Sequence, residues 1–388
     1  MKNRFKRIVV MGNDVDRLGG VGRFMNSLAV GFDARGYEVE LLGVSPAPEG
    51  HLAAYSRPAH IPSQTLMPEP PPADWTLKTD EDRKDSARVK RHAHRMKLRQ
   101  IAVDKLKVLL PQWGPDTVIV CTQVYGMEHM LEAGYDATDF NLPRIVGQYH
   151  GSYREAVHTN DLRRVLTAYD DVDRFICLSA PDAADFQRAG LNNTGWLPNP
   201  VPRLEAGETE RRNVFASLGR YEPIKSLDHF LRAWAVIADR LPDWSVELYG
   251  EGAERENLTA LISERAIPRA QLMGMTDDVA TVLASAKVHV MSSQNEGLPL
   301  AIVEAGHAGT PTVSYFSAPG VAHLIEDGHD GFVVRLNDVE QLAERMLTIA
   351  SDDALLTSMS GKARVAAERF LPERVLEQWE ELLLEMSR

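Results

Sequence analysis

The chain is poor in several things, and each shortage excludes a class of protein. Only two cysteines, Cys121 and Cys177, occur in 388 residues, each inside a short apolar run. No disulfide framework can be built from them, and a reduced, cytoplasmic-type chain is expected. No apolar stretch approaches the ~20 residues of a membrane-spanning helix. The opening MKNRFKRIVVMG is basic and then briefly apolar, and it turns polar too soon for a signal-peptide core. Positive charge is in deficit, with a net charge of -12, which argues against general nucleic-acid binding. A dinucleotide fingerprint is also missing. Glu38 and Glu40 lie about twenty residues beyond a glycine loop, yet Gly19, Gly20 and Gly22 make G-x-G-x-x-G in no frame, so an oxidoreductase reading fails on spacing.

What is present is ample core material. The chain is 44% hydrophobic and 25% charged, enough for two domains at this length. RIVVMG (7–12) is apolar throughout, as a parallel strand covered on both faces would be. In residues 19–36, Phe24, Leu28 and Phe32 stand four apart, which predicts a helix ended by Gly36. A strand at 37–44 completes a βαβ unit. Residues 45–75 hold eight of the 22 prolines and are expected as a loop or flap without regular structure. Residues 79–110 are expected to be helical and basic. Strands are predicted at 117–121, 144–148, 174–178 and 194–197, then near 213–218, 245–249, 271–273, 287–291, 311–315 and 331–334. Prolines and charge at 197–212 mark a boundary. The expected architecture is α/β: an N-terminal domain over 1–198, a linker over 199–212, a second domain over 213–370 and a C-terminal helix over 371–388. Val375, Trp379, Leu382, Leu383 and Met386 share one face of that helix and must pack on something.

Four stretches carry chemistry. In SSQNEGLPLAIVEAGHAG (292–309), a strand leads into a loop and then a helix with Pro299 in its first turn. Glu296 falls in the loop and Glu304 in the second turn. Ligands of open α/β sheets bind at the carboxyl ends of strands, and a helix N-terminus there suits a phosphate. Carboxylates on either side accept hydrogen bonds from sugar hydroxyls, so the pair fits the two ends of a nucleotide sugar. Gly306 and Gly309 let the helix end sharply and pack closely. In SLGRYEPIKS (217–226), Arg220 and Lys225 follow a strand end, and two fixed cations there can neutralise a leaving diphosphate. The glycine loop GNDVDRLGGVGR (12–23) admits close backbone approach to a phosphate. His150, past the end of an apolar strand, can hydrogen-bond a hydroxyl or phosphate.

Together these stretches resemble the retaining glycosyltransferases of family 4. The resemblance rests on Glu296 and Glu304 with seven residues between, Arg220-x4-Lys225, Gly19-Gly20, His150, LPNPV at the boundary, LYGEG (248–252) and LIEDGHDGFVV (324–334), all in the family's order. It implies the GT-B fold: two Rossmann-like doubly wound domains facing across a cleft, with the last helix returning to the first domain. It implies Glu296 on the donor sugar, helped by the N–H groups of Gly297 and Leu298. Glu304 would hold the ribose, and Arg220 and Lys225 the diphosphate. Gly20 would approach the phosphate, and His150 would sit near the reacting centre. The implied reaction is metal-independent transfer of a hexose with retained configuration. The donor would be a nucleotide sugar, most often a UDP-sugar, used as co-substrate with no further cofactor. The acceptor would be a glycan, lipid-linked or phosphopolymer molecule. Other readings on this fold are a nucleotide-sugar epimerase or hydrolase, a phosphorylase-like enzyme, or a non-catalytic scaffold subunit. The sequence departs from the family at Gly297-Leu298-Pro299, since Pro299 offers no N–H, and at SAPG (317–320).

Two features stand outside that pattern. Asp14-Val15-Asp16 and Asp171-Val172-Asp173 are Asp-x-Asp triplets; the second precedes a strand, the wrong edge for a ligand, and no metal site is expected. Residues 83–107 contain ten Lys or Arg against two Asp. Arg91, Arg95 and Arg99 repeat every four residues, one stripe of a helix. That stripe is a candidate surface for an anionic acceptor or the inner leaflet of the membrane, beside the plain alternative of a solvated face.

Overall fold

The computed structural model describes residues 4–17, 19–48, 55, 57–159, 161–207 and 209–387. The chain divides between Pro200 and Val201 into two units, and the segment from Pro372 onward belongs with the first.

Among the described residues the first unit holds seven strands: β1 (Arg7–Gly12), β2 (Glu38–Gly43), β3 (Ser63–Thr65), β4 (Thr117–Cys121), β5 (Arg144–Gln148), β6 (Arg174–Cys177) and β7 (Thr194–Trp196). They pair in the order β3-β2-β1-β4-β5-β6-β7, all parallel. Alternate residues of β1 serve opposite cores: Val9 and Met11 face one, Ile8 and Val10 the other. Both faces are covered by crossover helices, which is why such strands read as unbroken apolar runs. On one face the helix Gly20–Ala34 buries Phe24, Leu28 and Phe32. Gly36, at φ 85, turns the chain out of it.

The second unit repeats the plan with β8 (Arg212–Leu218), β9 (Ser245–Tyr249), β10 (Ala270–Gly274), β11 (Ala286–Met291), β12 (Thr312–Tyr315) and β13 (Gly331–Val334). Their order is β10-β9-β8-β11-β12-β13, again all parallel. In each sheet the winding reverses beside the first strand, between β1 and β4 and between β8 and β11. These are the two switch points where a crevice opens at the carboxyl ends of the strands.

The last helix, Pro372–Met386, buries Val375, Leu376, Trp379 and Leu383 in the first unit. The Trp379 ring lies 6.5 Å from Phe24 and 6.2 Å from Phe32. Gly31 has no side chain because Leu376 occupies the space; a Cβ there would sit 2.2 Å from Leu376 Cδ1.

Two expectations need correction. Residues 45–75 are not wholly irregular, although 49–54 and 56 lie outside the described residues. β3 pairs with β2 through Leu41–Ser63 to Gly43–Thr65. Ser63-Gln64-Thr65 carries no apolar alternation, so this edge strand is specified by backbone pairing and a Gln64 donation to Glu40 of β2 rather than by apolar side chains. The basic segment is two helices, Asp80–Lys84 and Ser86–Trp113, broken at Asp85. The Asp85 carboxylate accepts from the N–H groups of Ala87 and Arg88, so a helix start was hidden inside the expected single helix.

Trp379→Ala should weaken the first unit by about 3–5 kcal/mol, the usual result of emptying a buried tryptophan site. Urea unfolding followed by far-UV circular dichroism will measure it.

Candidate active site

The second switch point gathers most of the predicted chemistry. β8 ends at Leu218 and Gly219 follows. β11 ends at Met291 and runs through Ser292 and Ser293 into the loop that carries Glu296. Between these ends lies a pocket of ≈ 120 Å³ whose walls include Gly219, Lys225, Ser293, Glu296 and Pro299. Lys225 Nζ donates to Glu296 Oε1 at 2.6 Å, and both side chains are largely shielded, at 25% and 16% exposure.

The two loops are tied to each other by more than that ion pair. The Gln294 N–H donates to the Ile224 carbonyl at 2.8 Å, and Ser292 Oγ donates to the Lys225 carbonyl at 2.9 Å. Ser226 is held left-handed at φ 43, a conformation that costs a residue with a Cβ roughly 1 kcal/mol or more. Its Oγ accepts from Gln294 Nε2 at 2.7 Å, which helps to hold the turn. Glycines brace these loops from behind. A Cβ on Gly250 would meet the Gly219 carbonyl at 1.9 Å, and one on Gly252 would meet the Tyr221 carbonyl at 2.4 Å. The LYGEG motif is thus the bed on which the Gly219–Tyr221 turn lies. A Cβ on Gly320 would meet the Gly297 carbonyl at 2.4 Å, so the altered SAPG stretch still supports the Glu296 loop through its glycine.

The helix Leu300–His307 opens on this pocket, one residue later than expected. Pro299 stands at its N-cap in extended conformation and not within the first turn. Glu304 lies in the second turn, 8% exposed. Gly306 packs against the helix Asp353–Ala367, where a Cβ would sit 2.9 Å from that of Ala367. Leu298 is buried and Gly297 half-buried.

Lys225 and Glu296 therefore come together. Arg220 and Glu304 lie outside the pocket lining. Arg220 is exposed and pairs with Glu222 on its own turn at 2.6 Å. Ser226, Ser292 and Gln294 were missed by sequence reasoning. Their only sequence signal was their place beside Lys225 and Glu296.

The first unit presents its own candidates at the carboxyl edge of its sheet. Gly19 is at φ 153, which favours glycine, and its N–H donates to Tyr55 Oη at 3.1 Å. Gly20 opens the following helix, and a Cβ there would meet no atom of the described residues within 4 Å. The tight approach in this loop belongs instead to Gly22, where a Cβ would press to 2.3 Å from the Arg17 carbonyl. His150 lies two residues past β5, edge-on to Phe24 at 4.7 Å. The residue keeps some exposed area, but its Nε2 is sealed and has no hydrogen-bond partner among the described residues. Burial pushes its pKa down to about 4, so the ring is neutral at pH 7. The Asp173 carboxylate accepts from the Ile145 N–H at 2.8 Å and faces Arg144, a brace at strand starts. Asp16 pairs with Arg57 at 3.2 Å.

The arginine stripe is not a free cationic surface. Arg95 lies 4.1 Å over the Trp75 ring and donates to Tyr125 Oη at 2.9 Å. Arg99 grips Glu132 with two nitrogens, one at 2.7 Å. Arg91 donates to the Asp74 carbonyl at 3.2 Å. A four-residue period selects one face of the helix, and here the arginines of that face turn inward.

Two family models divide the chain. Glycosyltransferase Family 4 matches residues 18–203, and Glycosyl transferases group 1 matches residues 203–366. The chain belongs to these glycosyltransferases. An uncharacterized glycosyltransferase of Haemophilus influenzae is 28% identical over 287 residues, 72% of this chain and 79% of that protein. The poly(ribitol-phosphate) alpha-N-acetylglucosaminyltransferase of Staphylococcus aureus is 25% identical over 174 residues, 44% of this chain and 35% of its own length. An Escherichia coli UDP-Gal:alpha-D-GlcNAc-diphosphoundecaprenol alpha-1,3-galactosyltransferase is 30% identical over 204 residues, 50% of this chain and 52% of that one. The last two are matched over about a third to a half of their own length. Among solved structures, TarM superposes with a TM-score of 0.77 at 14% identity, covering 97% of this chain and 98% of that one. HepE of Anabaena, in complex with UDP and glucose, gives 0.72 at 17% identity, covering 97% and 98%. At such identities the likeness is one of fold, and that fold is GT-B.

The histidines set an acid limit. His289, buried in β11 with Nδ1 3.1 Å from Thr312 Oγ1, is pushed down to about 4 like His150. In the unfolded chain both bind a proton near pH 6.5. The stability they carry is therefore complete above pH 6.5 and is lost as pH falls from 6.5 towards 4. His289→Asn and His150→Asn should each flatten the stability–pH curve in that window, as denaturation midpoints at pH 7 and pH 5 will show.

Proposed function

We propose that this glycosyltransferase is a retaining, metal-independent hexosyltransferase. It moves a hexose from a nucleotide-diphosphate sugar, in the first place a UDP-sugar, to a cell-envelope glycan or phosphopolymer. The observation that carries this reading is the Lys225–Glu296 pair inside the β8/β11 crevice, at the mouth of the helix Leu300–His307. A cation, a carboxylate and a helix N-terminus at a switch point make a receptor for a diphosphate attached to a polyol. Relatives named for transfer to poly(ribitol phosphate), poly(glycerol phosphate) and diphosphoundecaprenol acceptors support the acceptor class. HepE bound to UDP and glucose supports the donor. Retention of configuration is supported by the resemblance of the motifs to family 4.

In this reading Lys225 and the N–H groups of the helix start stabilise charge on the diphosphate as the sugar bond breaks. They are in place before the reaction, so no reorganisation opposes it. Glu296 takes up donor-sugar hydroxyls and keeps the hexose aligned. Arg220 reaches the diphosphate by leaving Glu222, and a surface ion pair of that kind resists little. Glu304 binds the ribose hydroxyls from the second turn. His150 is uncharged at neutral pH and acts by hydrogen bonding near the transferred sugar, while Gly20 leaves room for backbone approach to phosphate.

The test is UDP release from UDP-glucose, UDP-galactose and UDP-N-acetylglucosamine with poly(glycerol phosphate) and diphospho-polyprenol acceptors, with the anomeric configuration of the product read by proton NMR. Glu296→Gln and Lys225→Ala should each lower kcat by about 100-fold or more, the scale of losing one preorganised charge contact. Their double variant should fall short of the product of the two losses, because the side chains touch. EDTA should leave the rate unchanged. Full turnover by either single variant, or an inverted product, would refute the reading.

A further inference from the structure

With its arginines turned inward, the long basic helix keeps a different cationic face. Lys84, at the end of the short helix, and Lys90 and Lys97, seven apart on Ser86–Trp113, are exposed and have no hydrogen-bond or ion-pair partner among the described residues. The neighbouring cations are engaged: Arg83 with Asp80, Arg88 with Asp82, Lys107 with Asp104, and Lys105 with the Thr65 carbonyl.

Apolar groups share that outward face. Val89 and Met96, also seven apart, are 39% and 36% exposed, and Val108 is 58% exposed. Further along, Ile101, Val108 and Leu109 line a groove of ≈ 480 Å³ against Gln64. Asp104 interrupts the face, but Gln100 and Lys107 both donate to it.

The helix is also longer than its task as a crossover requires. Its 28 residues span roughly 42 Å, while the five residues of β4 span roughly 17 Å. Burial begins only at Leu98, so the first three turns overhang the sheet. A crossover helix runs antiparallel to its strands, which puts the overhang at the carboxyl edge. The contact of Arg95 with Tyr125, in the first turn of the helix after β4, puts it there as well. That is the edge bearing Gly19 and His150.

We infer that this overhang rests on an anionic lipid bilayer, with Lys84, Lys90 and Lys97 on the headgroups and Val89 and Met96 in the interfacial layer. Lysines that raise their ammonium groups beside an apolar ridge suit a surface that is charged outside and oily beneath. A dissolved phosphopolymer would use the lysines but has nothing for the valine and methionine. Contact at this edge holds the functional loops of the first unit close to the headgroups. The inference goes beyond the transfer reaction and needs no donor, so it fails or survives independently of it.

The full chain should co-sediment with phosphatidylglycerol-containing vesicles and not with pure phosphatidylcholine, and salt should release it. Lys84→Glu, Lys90→Glu and Lys97→Glu should each weaken partitioning roughly fivefold. Val89→Asp with Met96→Asp should also release the protein although every lysine remains. Circular dichroism spectra and urea-unfolding midpoints, unchanged in each variant, exclude misfolding. A wild-type chain that stays in the supernatant overturns the inference. So does binding that depends on the lysines but is indifferent to Val89 and Met96, or equal lysine-dependent binding to dissolved poly(glycerol phosphate).

Discussion

The ion pair between Lys225 and Glu296 is the constraint on which the candidate site depends. Each residue stands beyond the end of a different strand, Lys225 closing a single 3-10 turn (Pro223–Lys225) and Glu296 in the loop that follows β11. The ammonium and the carboxylate meet because Ser226, Ser292 and Gln294 bind one loop to the other through backbone and side-chain hydrogen bonds. The strained turn at Ser226 is tolerated because those bonds hold it. Without the lacing, a lysine with four rotatable bonds would sample the surface instead of holding one position in the crevice.

The sheets were legible for a definite reason. A parallel strand covered on both faces reads as an unbroken apolar run, and VIV in β4 or FIC in β6 cannot be much else between turn signals. β3 was hidden because Ser63-Gln64-Thr65 contributes backbone pairing and polar contacts but no apolar side chain, and proline density around it pointed to a loop. The break at Asp85 was hidden because aspartate in a charged stretch looks like any other surface residue until its carboxylate is seen to accept two N–H groups. Periodicity finds faces; it does not find pairings that spend no apolar surface.

The site was legible in part, and the limit has the same origin. Residue types that carry chemistry, Glu296 and Lys225 among them, stand out because few other side chains do their work. Ser226, Ser292 and Gln294 do not stand out, since serine and glutamine are at home in any loop. The arginine stripe shows the converse. Period four placed Arg91, Arg95 and Arg99 on one face correctly, but nothing in the spacing says that Trp75 from the proline-rich segment and Tyr125 and Glu132 from the next helix wait on that side. Arginine, planar and weakly hydrated, goes inward to aromatic rings and carboxylates, while the more strongly hydrated lysines stay out.

The glycines explain how so much loop structure remains exact in position without a core beneath it. Gly250, Gly252 and Gly320 each lie where a Cβ would collide with a carbonyl of the Gly219–Tyr221 turn or the Glu296 loop. Removing one side chain lets two backbone segments meet at contact distance. A loop braced by another backbone cannot shift by rotamer exchange, as one braced by side chains can. The loops that carry Lys225 and Glu296 are therefore braced from behind by main chain, while the pocket itself is lined by Leu218, Leu227, Met291 and Leu300 beside the two charged side chains. Such a site suits a ligand whose own charge is large and fixed: the backbone supplies the shape, and the pair Lys225 and Glu296 supplies the electrostatic response to whatever enters.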